Sequence, residues 1–307
     1  MKSTVGDVPS TRVAAAATRE RPWLLPLPGF VFLALVTFPP LFYALYLAFV
    51  NIDSSLPDRP VRFVFFENFT TLLFGASGQQ AIVTTAILSF GATLVALVGG
   101  LLVAYLLNTF AGRLTMPLTV LILVPMAVSP VAMALTFSLI LNPLYGPLPQ
   151  VINQLGGPLI SVTASPLGAV LTIMFAQAWQ WSPLAVVLLL GGLQGLPSAP
   201  FEAARLDGAS AWQLFRFVAL PLLRPIIVVT ALFEFILCSQ LFGAAQLLTN
   251  GGPGTATTDL SFLIYRIGIS DAGRVSEAAA AGLVALVGAI VVASVWLRVS
   301  KWEEPLN

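Results

Sequence analysis

The sequence contains no histidine and only one cysteine, Cys238, which lies in an apolar run. Without histidine, the chain lacks the commonest general base and metal ligand, which argues against zinc chemistry and thiolate–imidazole catalysis. A single cysteine also excludes a disulfide framework. Neither a phosphate-binding Gly-x-x-x-x-Gly-Lys-Ser/Thr run nor a hydrolase Gly-x-Ser-x-Gly elbow is present. We therefore expect no catalytic site, no metal site and no cofactor on this chain.

Charged residues are scarce as well. They make up 9% of the chain, and hydrophobic residues make up 58%, whereas about 25% of an average soluble domain is charged. Such a chain cannot cover its surface with charge, and its mean hydropathy of +0.94 indicates that its solvent is lipid. The net charge of +1 provides no field that attracts nucleic acid.

What the chain does have is a set of long apolar segments. Six of them reach the roughly 20 residues that a membrane helix needs, and they predict an all-α integral membrane protein with six transmembrane helices. The predicted spans are residues 23–50, 81–108, 116–141, 167–190, 222–248 and 278–297. Prolines and glycines within them predict kinks, which membrane helices tolerate because neighbouring groups satisfy the freed backbone.

The lysines and arginines predict the orientation, because cytoplasmic loops carry an excess of them. When both termini are placed in the cytoplasm, ten of the 14 lysines and arginines fall on the cytoplasmic side and four on the outer side. We therefore predict a multi-pass protein of the plasma (inner) membrane with both termini cytoplasmic. Residues 1–22 and 298–307 are the expected tails, and residues 23–297 are the membrane domain.

A polar segment, residues 199–217, interrupts the apolar sequence between predicted spans four and five. Pro200 suits a helix start, and Glu202 in the first turn favours the helix dipole. Gly208 is unfavourable inside a helix by about 1 kcal/mol, so we expect it to mark a bend between two short helices, and we expect Pro221 to end the segment. An amphipathic helix on lipid headgroups is an alternative, although the acidic residues here give anionic lipid little to hold.

The same segment carries a spaced motif. Glu202-Ala203-Ala204 is followed after three residues by Gly208, and after nine more by Val218-Ala219-Leu220-Pro221. This spacing resembles the cytoplasmic EAA loop of permease subunits of binding-protein-dependent ABC importers, in which isoleucine often takes the place of Val218. Further matches resemble the carbohydrate branch of that family, the maltose and glycerol-phosphate type permeases. They lie at residues 38–49, Phe66-Glu67-Asn68-Phe69, residues 193–225, residues 251–258 and Tyr265-Arg266.

The resemblance implies a permease subunit that forms half of the path for a carbohydrate or polyol and works by alternating access. It implies that a coupling helix and its turn seat in a groove on an ATPase subunit, and the matching residues are Glu202, Ala203, Ala204, Asp207 and Gly208. The implied partners are a second homologous permease subunit, two ATP-binding subunits that hold ATP and Mg, an extracytoplasmic solute-binding protein and membrane lipid.

Polar side chains in the predicted spans are candidates for the solute path. They are Gln177, Trp179, Gln180 and Trp181 in span four, and Glu234, Gln240, Gln246 and Asn250 in and after span five. Amides beside aromatic rings suit a neutral polyol, because the ring packs against C–H groups and the amides bond hydroxyls. The same side chains can instead bond neighbouring helices, and both interpretations stay open.

Two other classes of function are alternatives to an importer subunit. A self-sufficient channel or ion-coupled carrier needs coupling charges inside the membrane, and Glu234 is the one candidate deep in an apolar run. The third class is a membrane scaffold or enzyme without a transport role. The lack of catalytic groups argues against the enzyme. A second Glu-Ala-Ala run begins at Glu277, but its glycine spacing differs and no Leu-Pro follows, so we expect an ordinary helix start there.

Overall fold

The computed structural model describes residues 26–157, 161–271 and 273–299. Within these ranges the chain is almost entirely helical, and the one β-bridge pairs Val50 with Phe63. The all-α prediction is therefore confirmed. The predicted tail 1–22 lies outside the described residues, as do residues 300–307 of the predicted tail 298–307.

Fourteen α-helices occur in the described ranges. They are α1 (Leu27–Ala48), α2 (Glu67–Phe74), α3 (Ala76–Leu106), α4 (Thr115–Ile122), α5 (Val124–Ala127), α6 (Pro130–Ile140), α7 (Pro147–Gln154), α8 (Pro166–Gln194), α9 (Ala199–Leu206), α10 (Ala211–Gln213), α11 (Leu220–Cys238), α12 (Phe242–Ala244), α13 (Leu260–Tyr265) and α14 (Val275–Val299). Wider π-helical turns extend four of them, at Leu107–Ala111, Leu214–Ala219, Ala245–Thr249 and Arg266–Ser270.

Five helical stretches are long and apolar enough to cross a membrane: Leu27–Ala48, Ala76–Ala127, Pro166–Gln194, Ala211–Cys238 and Val275–Arg298. Predicted span three is not a single rod, because α4, α5 and α6 follow one another with a break before Pro130. Proline lacks an amide N–H and disfavours helical geometry in the residue before it. The count of six spans stays a prediction.

Two details of the predicted fifth span were wrong. Pro221 does not end the polar segment, because one helical rod runs from Ala211 to Cys238. The π-helical turn Leu214–Ala219 ends two residues before this proline and already departs from regular α-helical bonding, which accommodates a residue that has no N–H. The rod also stops at Cys238 instead of reaching residue 248, because a tight turn bonds the Leu241 N–H to the Ser239 carbonyl at 3.0 Å.

The chain divides into two compact units, residues 1–43 and residues 44–307. In the first, the described residues form most of α1, which contains Pro39 and Pro40. The rings of Phe38 and Phe42 stack there with centroids 6.0 Å apart.

In the second unit, α3, α8 and α11 pack together as the core of a helical bundle. Small side chains line their contacts: Ala92 and Ala96 of α3, Ala178 of α8 and Cys238 of α11 form one buried cluster. A Cβ atom built on Gly100 lies only 2.5 Å from the Ala185 Cβ, so the backbones of α3 and α8 approach closely there. Small residues at helix contacts are typical of membrane proteins, in which packing rather than water expulsion holds helices together.

The two ends of α3 contact two different polar regions of the chain. In its first third, the Thr85 hydroxyl accepts a hydrogen bond from the Leu260 N–H at 2.8 Å. Near its end, the ring of Tyr105 packs against Phe215, with centroids 4.6 Å apart. Twenty helical residues span about 30 Å, so the polar segment 199–217 and the region around residue 260 lie at opposite ends of the bundle.

The end near residue 260 carries a cap built from α2, α13 and the start of α14. The Asn68 amide donates to the carbonyls of Ala48 and Val50, both at 2.8 Å, which satisfies the backbone where the first membrane helix ends. The Ser276 hydroxyl accepts from the Ile52 N–H at 2.8 Å. The sequence analysis did not anticipate an additional apolar helix, Leu260–Ser270, between predicted spans five and six.

Candidate functional sites

The polar segment, residues 199–217, is called the coupling segment below. Its first helix, α9, has Pro200 in its first positions and Glu202 in its first turn, as predicted. The predicted bend at Gly208 is confirmed. Gly208 adopts φ +82° and donates its N–H to the Arg205 carbonyl, while the Ala209 N–H bonds the Ala204 carbonyl, both at 3.0 Å. These bonds form a Schellman motif, in which glycine supplies the left-handed residue that ends a helix.

The second half of the coupling segment starts with a capping box. The Ser210 hydroxyl accepts from the Gln213 N–H at 3.4 Å, and the Gln213 side chain accepts from the Ser210 N–H at 2.7 Å. This reciprocal pair satisfies two amides that a helix start otherwise leaves unbonded. The chain then continues without interruption through the turn Leu214–Ala219 into α11, so the second half of the coupling segment is part of this membrane rod.

Aromatic side chains fix the coupling segment to the bundle. Phe201 and Phe215 pack against a buried apolar cluster formed by the ends of α3 and α8 and the start of α11. Phe215 lies between Tyr105, at 4.6 Å, and Trp212, at 5.7 Å between ring centroids. Phe201 and Phe215 therefore form the packed side of the segment.

The opposite side of the coupling segment is exposed. Glu202, Ala203, Arg205 and Asp207 all face solvent, and neither carboxylate forms an ion pair anywhere in the described part of the chain. Large apolar side chains are exposed beside them: Leu206 is 90% exposed, Trp212 63% and Phe217 67%. Exposed apolar side chains beside unpaired charges are typical of a surface that a partner protein or the lipid headgroups cover.

Two of the intramembrane candidates, Gln177 and Gln180, are fully buried and bonded to backbone. The Gln177 amide donates to the Gln240 carbonyl at 2.9 Å, and the Gln180 amide donates to the Val128 carbonyl at 2.7 Å. Both carbonyls lie at breaks in neighbouring helices. This geometry favours the helix-bonding interpretation for these two side chains.

Glu234 is buried in the contact between α8 and α11. One carboxylate oxygen accepts the Ala185 N–H at 3.1 Å, two residues after Pro183 of α8, and the other lies 3.9 Å from the Cys238 sulfur. The carboxyl therefore bonds a neighbouring helix near a proline, where the regular backbone ladder is disturbed.

The remaining candidates separate into two places. Trp179 is exposed on the side of α8 and packs edge-on against Phe137 at 5.5 Å, whereas Trp181 is half-buried and its indole N–H has no partner among the described residues. The Gln240 side chain is exposed beside its own bonded carbonyl. Gln246 and Asn250 lie further along, at the end of the bundle opposite the coupling segment.

Gln246 and Asn250 line a polar cleft that also contains side chains from the turn after α13. Its lining residues are Gln246, Asn250, Phe262, Tyr265, Arg266, Ser270 and Asp271. Arg266 donates to Asp271 at 2.7 Å, and hydrogen bonds from Ser270 and Arg266 hold the pKa of Asp271 below its usual value. The sequence analysis missed this ion pair because it runs from residue i to i+5. That spacing brings side chains together in a π-helical turn but not in an α-helix.

Beside this cleft lies the glycine–threonine loop, residues 250–259. Thr257 bonds the Thr249 hydroxyl at 2.7 Å and the Gly252 carbonyl at 2.9 Å, and Thr258 donates to the Gly251 carbonyl at 3.2 Å. Both threonines are buried. The loop is therefore held by its own side chains.

Glu277, the start of the second Glu-Ala-Ala run, lies in the first turn of α14, and the prediction of an ordinary helix start is confirmed. Its carboxylate pairs with Arg274 at 2.6 Å.

Comparisons with known proteins agree with the motif. Residues 96–301 match the family described as binding-protein-dependent transport system inner membrane component. The trehalose/maltose transport system permease protein MalF of Thermococcus litoralis is 32% identical over 213 residues, which cover 69% of this chain and 71% of that protein. The sulfoquinovosyl glycerol transport system permease protein SmoG of Agrobacterium fabrum is 30% identical over 283 residues, covering 92% and 90%.

Among solved structures, a chain of a bacterial alginate ABC transporter, crystallised with an alginate pentasaccharide-bound periplasmic protein, superposes with a TM-score of 0.76. The alignment covers 92% of this chain and 96% of that chain at 23% sequence identity. At this identity the similarity establishes a shared fold.

Proposed function

Because the chain belongs to the family of binding-protein-dependent transport system inner membrane components, we propose that it forms half of the membrane path of an ATP-driven importer for a carbohydrate or polyol. The observation that carries this proposal is the coupling segment: an ordered helix–turn–helix at one end of the bundle that exposes unpaired carboxylates and is continuous with a membrane rod.

In this proposal, the exposed face of α9 and its turn seat in a groove on an ATP-binding subunit. Ala203 and the Gly208 turn allow close approach, while Glu202 and Asp207 supply charge that nothing in the described chain neutralises. Phe215 packs against Tyr105 of α3 and against the buried cluster that includes the start of α11, so these contacts transmit a push on the segment to both helices. The partner subunits carry ATP and Mg.

Alternating access requires that the ATP-binding subunits hold the coupling segment more tightly in one state of the pore than in the other. Moving a two-state equilibrium from 1:99 to 99:1 takes a difference of about 5.5 kcal/mol in binding free energy. The coupling segment is held to the bundle by packed aromatic rings, so it can transmit this difference in binding free energy to the membrane helices. Packed interfaces switch between discrete arrangements and do not deform continuously.

The carbohydrate class is supported by the names of relatives, which transport trehalose/maltose and sulfoquinovosyl glycerol. Within this chain, the polar cleft and Trp179 present amides and aromatic rings, the combination that binds hydroxyls and sugar ring faces. We assign Trp179, Trp181, Gln240, Gln246 and Asn250 as candidate solute contacts.

The proposed assembly places both termini and the coupling segment in the cytoplasm, with the glycine–threonine loop on the outer face, where an extracytoplasmic solute-binding protein delivers the ligand. A second homologous permease subunit completes the path. The alternative of an ion-coupled carrier would depend on Glu234, whose carboxylate accepts the Ala185 N–H, and the uptake test separates it from the proposal.

The test is uptake by the purified assembly in proteoliposomes. We expect solute uptake to require ATP and the ATP-binding subunits. Uptake that continues after those subunits are removed supports the carrier alternative and contradicts the proposal.

A further inference from the structure

Two membrane helices of the second unit are broken, and both are bonded at the break by the same neighbouring helix. The first break, at Val128 and Ser129, separates α5 from α6, and the second, at Ser239–Leu241, separates α11 from α12. Both residues of the first break have extended backbones. Broken helices leave backbone groups that must find partners inside a membrane.

At the first break, the freed group is the Val128 carbonyl. In a continuous helix this carbonyl accepts the Ala132 N–H, but here that N–H bonds the Ser129 hydroxyl at 3.2 Å. The Gln180 amide takes its place and donates to the Val128 carbonyl at 2.7 Å. The amide oxygen of Gln180 has no partner among the described residues, so this side chain acts here as a donor.

At the second break, the Gln240 carbonyl accepts the Gln177 amide at 2.9 Å. Gln177 and Gln180 lie three residues apart in α8, on one face of a helix that is unbroken around them. One face of one rod therefore bonds two breaks in two different helices.

The two pieces that follow the breaks also pack on each other. Met133 of α6 shares a buried cluster with Leu241 in the second break and with Ala244 and Leu248 beyond it. The same cluster contains residues of α8 and α3, namely Ile173, Ala176 and Leu88. A Cβ atom on Gly243 sits in ordinary contact with the Pro130 backbone at 3.7 Å. The stretches 130–140 and 242–249 therefore pack on each other and on the same faces of α8 and α3, at the end of the bundle away from the coupling segment.

We propose that Gln177 and Gln180 are latches that hold this pair of half-helices against α8, and that both bonds open during a transport cycle. They are positioning residues, because they act through backbone carbonyls and not on the solute. The inference rests on the proposed function for its role in transport, and on the two hydrogen bonds for the latch itself.

The test replaces each latch with methionine, which keeps the length and removes the donor. Gln177→Met, Gln180→Met and the double variant are prepared in a Cys238→Ala background and purified with the subunits that accompany the native chain. Spin labels at the exposed positions Leu135 of α6 and Leu171 of α8 report the distance between the half-helix pair and α8. Gln154→Met, at an exposed glutamine of α7, is the matched control.

Without ATP, we expect a second distance between the two spin labels to become detectable in the variants. Each hydrogen bond removed should raise the population of that second state about three- to tenfold, which corresponds to the free energy that interhelical hydrogen bonds contribute in membranes. ATP hydrolysis without the solute-binding protein should rise, and solute moved per ATP should fall. The control should retain one distance and native coupling.

A single unchanged distance in both single variants, whether or not their yield falls, overturns the latch, because a merely structural bond lowers yield without adding a second position. Failure of the wild-type assembly to show ATP-dependent uptake contradicts the proposed function instead, and the distance populations remain a separate result.

Discussion

The coupling segment and the glycine–threonine loop are both polar interruptions between apolar helices, yet they are built in opposite ways. The coupling segment is ordered by backbone bonds and one capping box, and it leaves Glu202 and Asp207 exposed. The glycine–threonine loop buries Thr257 and Thr258 and bonds both within the chain. The coupling segment therefore leaves its carboxylates without an ion-pair partner in the described chain, whereas the glycine–threonine loop bonds its threonines internally.

The glycines of the two regions show the same difference. Gly208 and Gly251 both have positive φ, at +82° and +76°. A Cβ atom on Gly208 meets nothing within 4 Å, whereas one on Gly251 lies 2.6 Å from the Thr258 hydroxyl and 2.8 Å from the Phe262 ring. Only backbone conformation requires glycine in the coupling segment, but both conformation and space require it in the loop.

The largest expected effect on stability is that of Gly251→Ala. Left-handed strain costs about 1–2 kcal/mol and overpacking about 1–3 kcal/mol, so we expect the free energy of unfolding in detergent to fall by about 3 kcal/mol. The matched change Gly208→Ala carries the strain alone and should cost about 1 kcal/mol. Equal losses in denaturant unfolding would remove the distinction between the two regions.

Thr257→Val comes next, because it removes the bonds to the Thr249 hydroxyl and the Gly252 carbonyl. Each bond contributes about 1 kcal/mol, and we expect a loss of about 1–2 kcal/mol in the same measurement. Thr255→Val is the control, since Thr255 is exposed and its change should stay within about 0.5 kcal/mol. A neutral Thr257→Val would show that the loop does not depend on its own side chains.

Within the coupling segment, Ser210→Ala removes the side chain of the capping box and should cost about 1 kcal/mol. Limited proteolysis should cut near residue 210 faster than in the native chain. Ser198 precedes α9 without a side-chain capping bond, so Ser198→Ala is the control that should change neither readout. Similar behaviour of the two serine variants would argue against the capping box.

The variant with the smallest expected effect on stability, Glu202→Lys, should have a large effect on the coupling of ATP hydrolysis to uptake. Glu202→Lys changes an exposed, unpaired side chain, so stability should stay within about 0.5 kcal/mol. Uptake should nevertheless fall tenfold or more while the assembly still hydrolyses ATP, because the charge that faces the ATP-binding subunit is reversed. Asp58→Lys, an exposed charge reversal in the loop after α1, should leave uptake unchanged. Uptake at native rates in Glu202→Lys would contradict the proposed coupling surface.

Local rules predicted the first half of the coupling segment well. Proline at the helix start, glutamate in the first turn and glycine at the bend depend on neighbours only a few residues away, so Pro200, Glu202 and Gly208 lie where the sequence placed them. The apolar segments likewise predicted most of the long helices, because lipid demands about 20 apolar residues whatever the tertiary contacts.

Long-range contacts explain what the sequence did not predict. Residues 222–248 are mostly apolar, and the polar pair Ser239-Gln240 does not by itself mark a break, because polar side chains such as Thr230 and Glu234 lie within the helix. The break is tolerated because Gln177, 63 residues earlier, bonds the freed carbonyl. The roles of Gln177, Gln180 and Glu234 likewise depended on which neighbour they met, and each proved to bond the backbone of another helix.

The central claim is tested most directly by a single cysteine at Ala203, an exposed position of α9, in a chain whose Cys238 is replaced by alanine. In native membranes we predict that a short thiol crosslinker joins this cysteine to an ATP-binding subunit, and that a membrane-impermeant thiol reagent added outside does not reach it. A cysteine at the exposed Thr255 of the opposite end should give the reverse pattern. Labelling of the Ala203 position from outside, or crosslinking to lipid alone, would contradict the account.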